Sequence, residues 1–361
     1  MLHVSIQPQW HIRNATGQAL PVKVLALLSL VEDHGSLSAA CTQEGGSYRH
    51  AWKLLREAEA VLGAPLLAMQ RGKGSVLTPL ARALVWADRR VGARLSPVLE
   101  SLASELEAEL HTLLASNGTT LRLFASHGFA VEALAHQLEA AQLPLELKYC
   151  NTEQAAAAVH GGSCDVAGLH LPLGPLGAKV LAHHARWLRG DMRAIHLVVR
   201  RQGLMVAAGN PKKVYAVDDL ARPGLRFINR ERGSGTRLLL ELLLAQRGLD
   251  GAAVAGYEQG EHTHAAVAAY VASGMADVAF GVETAARRFG LEFIPVQAER
   301  YFLACKPAAL QAPLLQALLA VVRSDAFRAA VEQLPGYEPD ACGNVTSLDD
   351  ALVTTMPRGT G

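Results

Sequence analysis

Cysteine is sparse and scattered in this sequence. Cys41, Cys150, Cys164, Cys305 and Cys342 are odd in number, widely spaced and free of any CxxC pair, which argues against a disulfide framework or a structural zinc site and for buried thiols. Long apolar runs are missing too. No uncharged stretch reaches the roughly 18 to 20 residues that span a bilayer, and no basic-plus-apolar signal precedes a small-residue cleavage site at the N-terminus. The expectation is a cytoplasmic protein with no membrane partner. The pairs His183-His184 and His262-x-His264 lack carboxylates or cysteines at ligand spacing, so no metal is expected. Glu261 and Glu283 come without a nucleophile, base and orienting group, so the chain does not read as an enzyme. The run Gly233-Ser234-Gly235-Thr236 lacks the lysine of a P-loop and carries no NTPase signal.

Net charge is also nearly absent, at +1 over 361 residues, but the average conceals a local excess. Between Ser47 and Arg94 nine Lys or Arg face three Asp or Glu, whereas from Thr120 onward the counts are 23 and 23. Only the N-terminal part is therefore directed toward a polyanion. Half of the residues are hydrophobic, enough at this length to bury more than one core, so two or three domains are expected.

In the N-terminal part, Val22 to Glu32 has apolar residues at helical spacing, and His34-Gly35-Ser36 ends that helix and caps the next. Leu37 to Gln43 is a short helix, Gly45-Gly46 a turn, and Ser47 caps a helix running to about Ala60. Helix, glycine turn and helix make a helix-turn-helix, whose second helix enters the major groove. Ser47, Tyr48, Arg49, His50, Lys53 and Arg56 are the candidate DNA contacts, with Trp52 partly in the core. Strand-like runs at Leu66 to Gln70 and Gly74 to Thr78 flank a basic tip in which Arg71 and Lys73 could reach phosphates or a minor groove. Pro79 to Leu114 reads as a long amphipathic helix with Leu84, Val91, Leu95, Val98, Leu102, Leu106, Leu110 and Leu113 on one stripe, taken as a dimerisation helix. Ser116-Asn117-Gly118-Thr119 is the linker.

The segments Gly35-Ser36-Leu37, Ser47-Tyr48-Arg49, Ala51-Trp52, Arg71-Gly72-Lys73-Gly74 and Leu77-Thr78 resemble the winged helix-turn-helix of LysR-type regulators and, more closely, of the molybdate-responsive repressor family. The resemblance implies an operator-binding head on double-stranded DNA and a homodimer or higher homo-oligomer.

The C-terminal part alternates strand and helix, which predicts an α/β fold with a largely parallel sheet. Strands are read at Leu121 to Ala125, Leu145 to Tyr149, Asp165 to Leu169, Arg222 to Ile228 and Val278 to Val282, with a return strand through Phe302 to Ala304. Helices are read at Val131 to Ala141, Glu153 to His160, Thr236 to Arg247 and His264 to Ser273. The stretch Asn229 to Arg237 is a strand end turning into a helix whose first turn suits an anion. Unpaired N–H groups and the positive end of the macrodipole meet there, the glycines let backbone approach closely, and Ser234, Thr236, Arg230, Arg232 and Arg237 add donors and charge. Taken alone, the same residues also fit an ordinary capped helix with surface arginines. In open α/β sheets ligands bind at the carboxyl ends of strands, which adds Ser126, His127, Thr152, His170, Gly235 and Thr263 to the candidate ligand contacts.

This region, with Asn229 to Arg237, Thr263 to Ala268, Ala272 to Asp277 and Gly281-Val282-Glu283, resembles the two-lobed periplasmic-binding-protein-like domain of such regulators and secreted molybdate- and tungstate-binding proteins. Those proteins use an arginine with a threonine six residues on, as Arg230 and Thr236 stand here, and hydroxyls at two strand ends, here Ser126 and Thr152. Ser126-His127-Gly128 departs from their hydroxyl-rich first loop. The organisation expected is a winged helix-turn-helix over residues 1–78, a dimerisation helix and linker over 79–119, and a ligand-binding domain over 120–361. The function implied is transcriptional regulation by molybdate or tungstate, with no other cofactor. The alternative is a LysR-like regulator sensing an organic anion or a molybdopterin-type ligand.

Overall fold

Caps and glycine turns set the boundaries of the first elements. A computed structural model describes residues 3–43, 45–70, 74–114, 120–188 and 191–353; the tip residues Arg71 and Lys73 and the linker Ser116 to Thr119 lie outside them. Helix α1 (Lys23–His34) ends at Gly35, whose φ of +77° suits glycine. Ser36 then caps α2 (Leu37–Gln43), and Ser47 caps α3 (Tyr48–Leu62) by accepting the His50 N–H. Strands β1 (Leu67–Gln70) and β2 (Gly74–Leu77) form an antiparallel hairpin. Val24, Leu28, Val31, Leu37, Leu55, Ala58, Leu66, Leu77, Ala81 and Val85 make one core beneath these elements. The periodic apolar positions of three short helices are thus closed by the hairpin rather than by a longer helix pair.

The long helix α4 (Pro79–Leu114) begins where the Thr78 hydroxyl accepts the Ala81 N–H. The chain divides into two compact units inside it, Gln7–Leu95 and Ser96–Gly361, with Met1–Ile6 joining the latter. On the apolar stripe, Leu84 packs on the first core, while Leu95, Val98, Leu102, Leu106 and Leu113 are exposed.

The second unit is α/β. Its elements are β3 (Leu121–Ala125), α5 (Phe129–Ala140), β4 (Leu145–Tyr149), α6 (Thr152–Gly161), β5 (Val166–Pro172), α7 (Leu176–His183), β6 (Arg193–Val206) and β7 (Phe227–Arg230). They continue with α8 (Gly235–Gln246), β8 (Gly260–Glu261), α9 (His264–Ala272), β9 (Val278–Val282), α10 (Glu283–Arg288) and β10 (Glu292–Cys305). The last are α11 (Pro313–Val322), α12 (Asp325–Glu332), β11 (Tyr337–Glu338), β12 (Val345–Ser347) and α13 (Leu348–Val353). The sheet runs β4-β3-β5-β10-β6-β9-β7-β8, with β11 and β12 also paired to β6.

Two expectations need correction here. The sheet is mixed: β4, β3 and β5 are parallel at one end and β9, β7 and β8 at the other, but β10 pairs antiparallel with β5 and β6, and β6 antiparallel with β9. The long strands β6 and β10 thereby join two halves of a two-lobed domain. Strand β6 escapes sequence reading because it is buried on both faces and carries His196, Arg200 and Gln202 in its middle, so it shows no alternation. The strand expected at Arg222 to Ile228 starts later, at Phe227, after the turn at Gly224, and continues to Arg230. Arg230 is consequently a strand residue with a fixed direction, not a loop residue.

Edge strand β4 is covered from within the same unit. Ser104 accepts the Leu147 N–H at 2.7 Å and Ser101 accepts the Tyr149 N–H at 2.8 Å, so α4 satisfies backbone groups that an exposed edge leaves open.

Candidate anion site

The cleft is built where β7 turns into α8 opposite the start of α6. Ser234 caps α8, accepting the Arg237 N–H and donating to the Glu231 carbonyl. Gly233 has φ of +80°, and a Cβ there would come within 2.9 Å of the Asn151 amide, so this turn requires glycine. The Thr152 hydroxyl accepts the Gly235 N–H at 3.1 Å, joining the starts of α6 and α8. That leaves the Thr152 O–H as a donor. A Cβ on Gly235 would stand 3.2 Å from Thr152 Oγ1 and 3.5 Å from His170 Nδ1, which brings His170 to the same point.

Beneath the helix starts lies a buried polar network. Gln202 Nε2 donates to Thr236 Oγ1 at 3.0 Å and to Glu299 Oε1 at 2.8 Å, and Arg200 Nε donates to the same carboxylate at 2.6 Å. Arg200 and Glu299 are cross-strand partners on β6 and β10. The carboxylate accepts only, so it fixes the Gln202 amide with Oε1 outward, and that oxygen has no partner. Arg230 is 2% exposed; its guanidinium donates to the Glu261 carbonyl at 3.2 Å and the His262 carbonyl at 2.7 Å. Burial, aided by Arg200, pulls its pKa down to about 10.

Three histidines from three elements face these arginines. His170, on β5, stacks on Tyr301 of β10 with ring centroids 4.3 Å apart, and its Nδ1 has no hydrogen-bond partner. His264, in the first turn of α9, is buried with Nδ1 equally unpartnered. His127, after β3, packs on Tyr149, and its Nε2 lies 3.2 Å from Glu132 and 3.8 Å from Glu100 without hydrogen-bond geometry. Burial, then the nearby arginines, lowers the His127 pKa to about 4 and those of His170 and His264 well below the usual value. A buried site with unmet donors and acceptors around two guanidiniums is chemically suited to an anion that also offers hydrogen-bonding oxygens.

Of the expected ligand contacts, Thr152, His170, Arg230, Ser234, Gly235 and Thr236 come together here. His127 borders the cleft through its interaction with Arg230, and Ser126, partly buried, precedes it at the end of β3. Thr263 is buried as the cap of α9, accepting the Ala266 N–H. Arg232 and Arg237 lie apart from this group. The Arg232 side chain is 79% exposed and paired with Glu258, while Arg237 pairs with Glu258 and Glu241 and lies over Tyr257. Arg232, before the cap of α8, is exposed, and Arg237, in its first turn, is buried against Glu258, Glu241 and Tyr257. They line a separate chamber of 320 Å³ with Glu153, His183, His184, Ser234, Gly235 and Tyr257. Sequence reasoning missed Arg200, Gln202, Glu299 and Tyr301; all sit on β6 and β10, and their only local signal is polar residues inside otherwise apolar runs.

On the first unit, Ser47, Tyr48, Arg49, His50, Lys53 and Arg56 are all exposed on or beside α3. Tyr48 stacks on the half-buried Trp52, Arg56 reaches Glu59 and lies over the Trp52 ring, and Lys53 is near Glu57. Tyr48, Arg49, His50 and Lys53 therefore form the open basic face.

Several known proteins resemble this chain. It is 34% identical over 226 residues to the uncharacterized protein YvgK of Bacillus subtilis, covering 62% of this chain and 72% of that one. It is 30% identical over 138 residues to the molybdenum-pterin-binding protein MopB of Rhodobacter capsulatus, covering 37% and 50% respectively. A hydrogen-peroxide-bound mutant of Corynebacterium glutamicum OxyR superposes with a TM-score of 0.45 at 15% identity, over 87% of this chain and 94% of that one. The description PBP superfamily domain matches residues 131–323. With more than half its length inside that match and a full set of strands and helices around the cleft, the chain belongs to the PBP superfamily.

Proposed function

We propose that this protein is a transcriptional regulator that senses molybdate or tungstate in the cleft of its PBP domain and binds an operator through its N-terminal unit. The observation that carries the ligand reading is the buried cluster around Arg230 and Arg200. Thr152 and Thr236 have hydroxyl protons to donate, three helix starts converge, and unpartnered His170, His264 and Gln202 atoms await a ligand. A tetrahedral dianion matches that donor set. Ser126, His127 and Thr263 complete the proposed contacts. Similarity to a protein named for binding molybdenum-pterin supports the same element.

For the DNA-binding side, three short helices, the β1–β2 hairpin and the exposed basic face of α3 fit a winged helix-turn-helix with α3 in the major groove. Arg71 and Lys73 would extend that contact from the wing. The exposed stripe from Leu95 to Leu113 on α4 suits a homodimer seam. Residues 1–78 would then be the head, 79–119 the dimerisation helix and linker, and 120–361 the sensor, working in the cytoplasm. Calorimetric titration with molybdate, tungstate and sulfate tests the ligand: heat from the first two with sulfate rejected supports it, and no heat from any refutes it. Replacing Arg49 or Lys53 by Ala should lower operator affinity and reduce the salt slope by about one each.

A second reading, an organic anion or molybdopterin-type ligand, draws on the 320 Å³ chamber. It shares Ser234 and Gly235 with the anion site, and neither ring nitrogen of its buried His184 has a hydrogen-bond partner. Competition between oxyanions and carboxylates, and fluorescence of copurified pterin, separate the two readings.

A further inference from the structure

The charges buried in the cleft cancel. Arg200 and Arg230, both 3% exposed or less, stand beside the carboxylates of Glu299 and Glu231. A doubly charged ligand entering so buried a site gains from positive charge beyond that balanced set. Helix starts supply part of it as partial charges. The nearest groups able to add a full charge are the imidazoles. His170 faces Arg200, Arg230 and Tyr301, and its Nδ1 stands beside the Gly235 backbone. His264 faces Arg230, Arg200, His170 and His127, with Met205 and Gly281 on its apolar side. His127 faces Arg230 and Arg288 on one side and Glu100, Glu132 and Tyr149 on the other. Each ring has a buried nitrogen with no hydrogen-bond partner.

We propose that these three histidines read the charge of the ligand: a dianion enters together with one proton from solvent, taken up within the His127, His170 and His264 cluster, whereas a monoanion of the same shape enters without one. The proton ends on an imidazole nitrogen that becomes a donor to a ligand oxygen, so the same event supplies a charge and a hydrogen bond. Burial, and after it the arginines, hold the rings neutral, and an arriving dianion offsets the arginines' share. By linkage, the preference for dianion over monoanion then grows about tenfold for each pH unit lowered while the proton is being taken up. This rests on the oxyanion reading of the cleft.

Tungstate and perrhenate, tetrahedral and alike in size but differing by one charge, are the probes. Calorimetry on the full chain at pH 7.5, in buffers of different ionisation heat, should give proton uptake approaching one for tungstate and near zero for perrhenate. From pH 7 to 9 the tungstate affinity should fall about tenfold per unit and the perrhenate affinity stay level. Tungstate binding without proton uptake, or equal uptake with both anions, overturns the inference alone; absence of binding by either overturns the oxyanion reading with it. His170→Gln and His264→Asn, with folding checked by thermal denaturation, should reduce the uptake. Glu100→Gln and Glu132→Gln test the carboxyls beside His127 that burial raises; if either removes the uptake while both histidine variants keep it, the assignment to the imidazoles is wrong.

Discussion

Ser104 of α4 accepts the backbone N–H of Leu147 on the edge strand β4 at 2.7 Å, and Ser101, one turn earlier, does the same for Tyr149 at 2.8 Å. Strand β4 leads through Asn151 into Thr152, whose hydroxyl holds the start of α8. A short run of chain and these hydrogen bonds therefore connect the cleft with α4. The double substitution Ser101→Ala with Ser104→Ala should cost about 1 kcal/mol per lost bond, read as a lower Tm. It should leave ligand affinity within about twofold while weakening the effect of ligand on DNA affinity, measured by titrating operator with and without ligand.

Arginines at the loop differ in worth. Arg230→Ala removes a buried guanidinium and leaves the buried Glu261 carbonyl unmet, so oxyanion affinity should drop on the order of 100-fold. Arg232→Ala removes an exposed ion pair with Glu258 and should change affinity by about twofold at most. Equal losses in the two variants, seen by calorimetry, would move the site to the outer chamber.

Stability should decline as pH falls below neutrality. Burial holds His127, His184 and His196 down to about 4 in the folded chain, below their unfolded value. Between roughly pH 6.5 and 4 the unfolded state binds more protons, so unfolding free energy falls with pH by at most about 1.4 kcal/mol per unit for each such histidine. Urea midpoints at pH 7.5, 6 and 5 check the sign; a midpoint that rises on acidification contradicts it.

Thiol chemistry should be slow. Burial pushes Cys150 and Cys164 up to about 12, and Cys305 and Cys342 up to about 11, so thiolate is scarce at pH 7.5. A thiol-specific chromogenic reagent should find few reactive groups in the native protein, and five after denaturation, since all five cysteines are unpaired. Rapid reaction of Cys150 or Cys164 in the native state would show that their surroundings open readily.

Elements marked by local chemistry were legible in the sequence. Gly35 as a stop and Ser36 as a cap give α2 the bounds expected, α4 spans the expected Pro79 to Leu114, and β3, β4 and β9 also lie where alternation or short apolar runs put them. The meeting of Arg230, Thr236, Thr152 and His170 followed from strand ends and helix starts. What stayed hidden depends on partners far away in the chain. Arg200 and Glu299 are 99 residues apart, and each is an anomaly in its own strand until the other is beside it. The orientation of Arg232 and Arg237 was equally out of reach, because Glu258 decides it from another turn of chain.

Strands β6 and β10 both connect the halves of the sheet and, through Arg200, Gln202, Glu299 and Tyr301, form the floor of the cleft. Register shifts interrupt their pairing between Pro295 and Gln297 and between Tyr301 and Phe302, on either side of Glu299. Joint and receptor are consequently one set of atoms. On the proposed oxyanion reading, altering those side chains to retune the cleft also rewrites its mechanics, and affinity and responsiveness will drift together through any series of such variants.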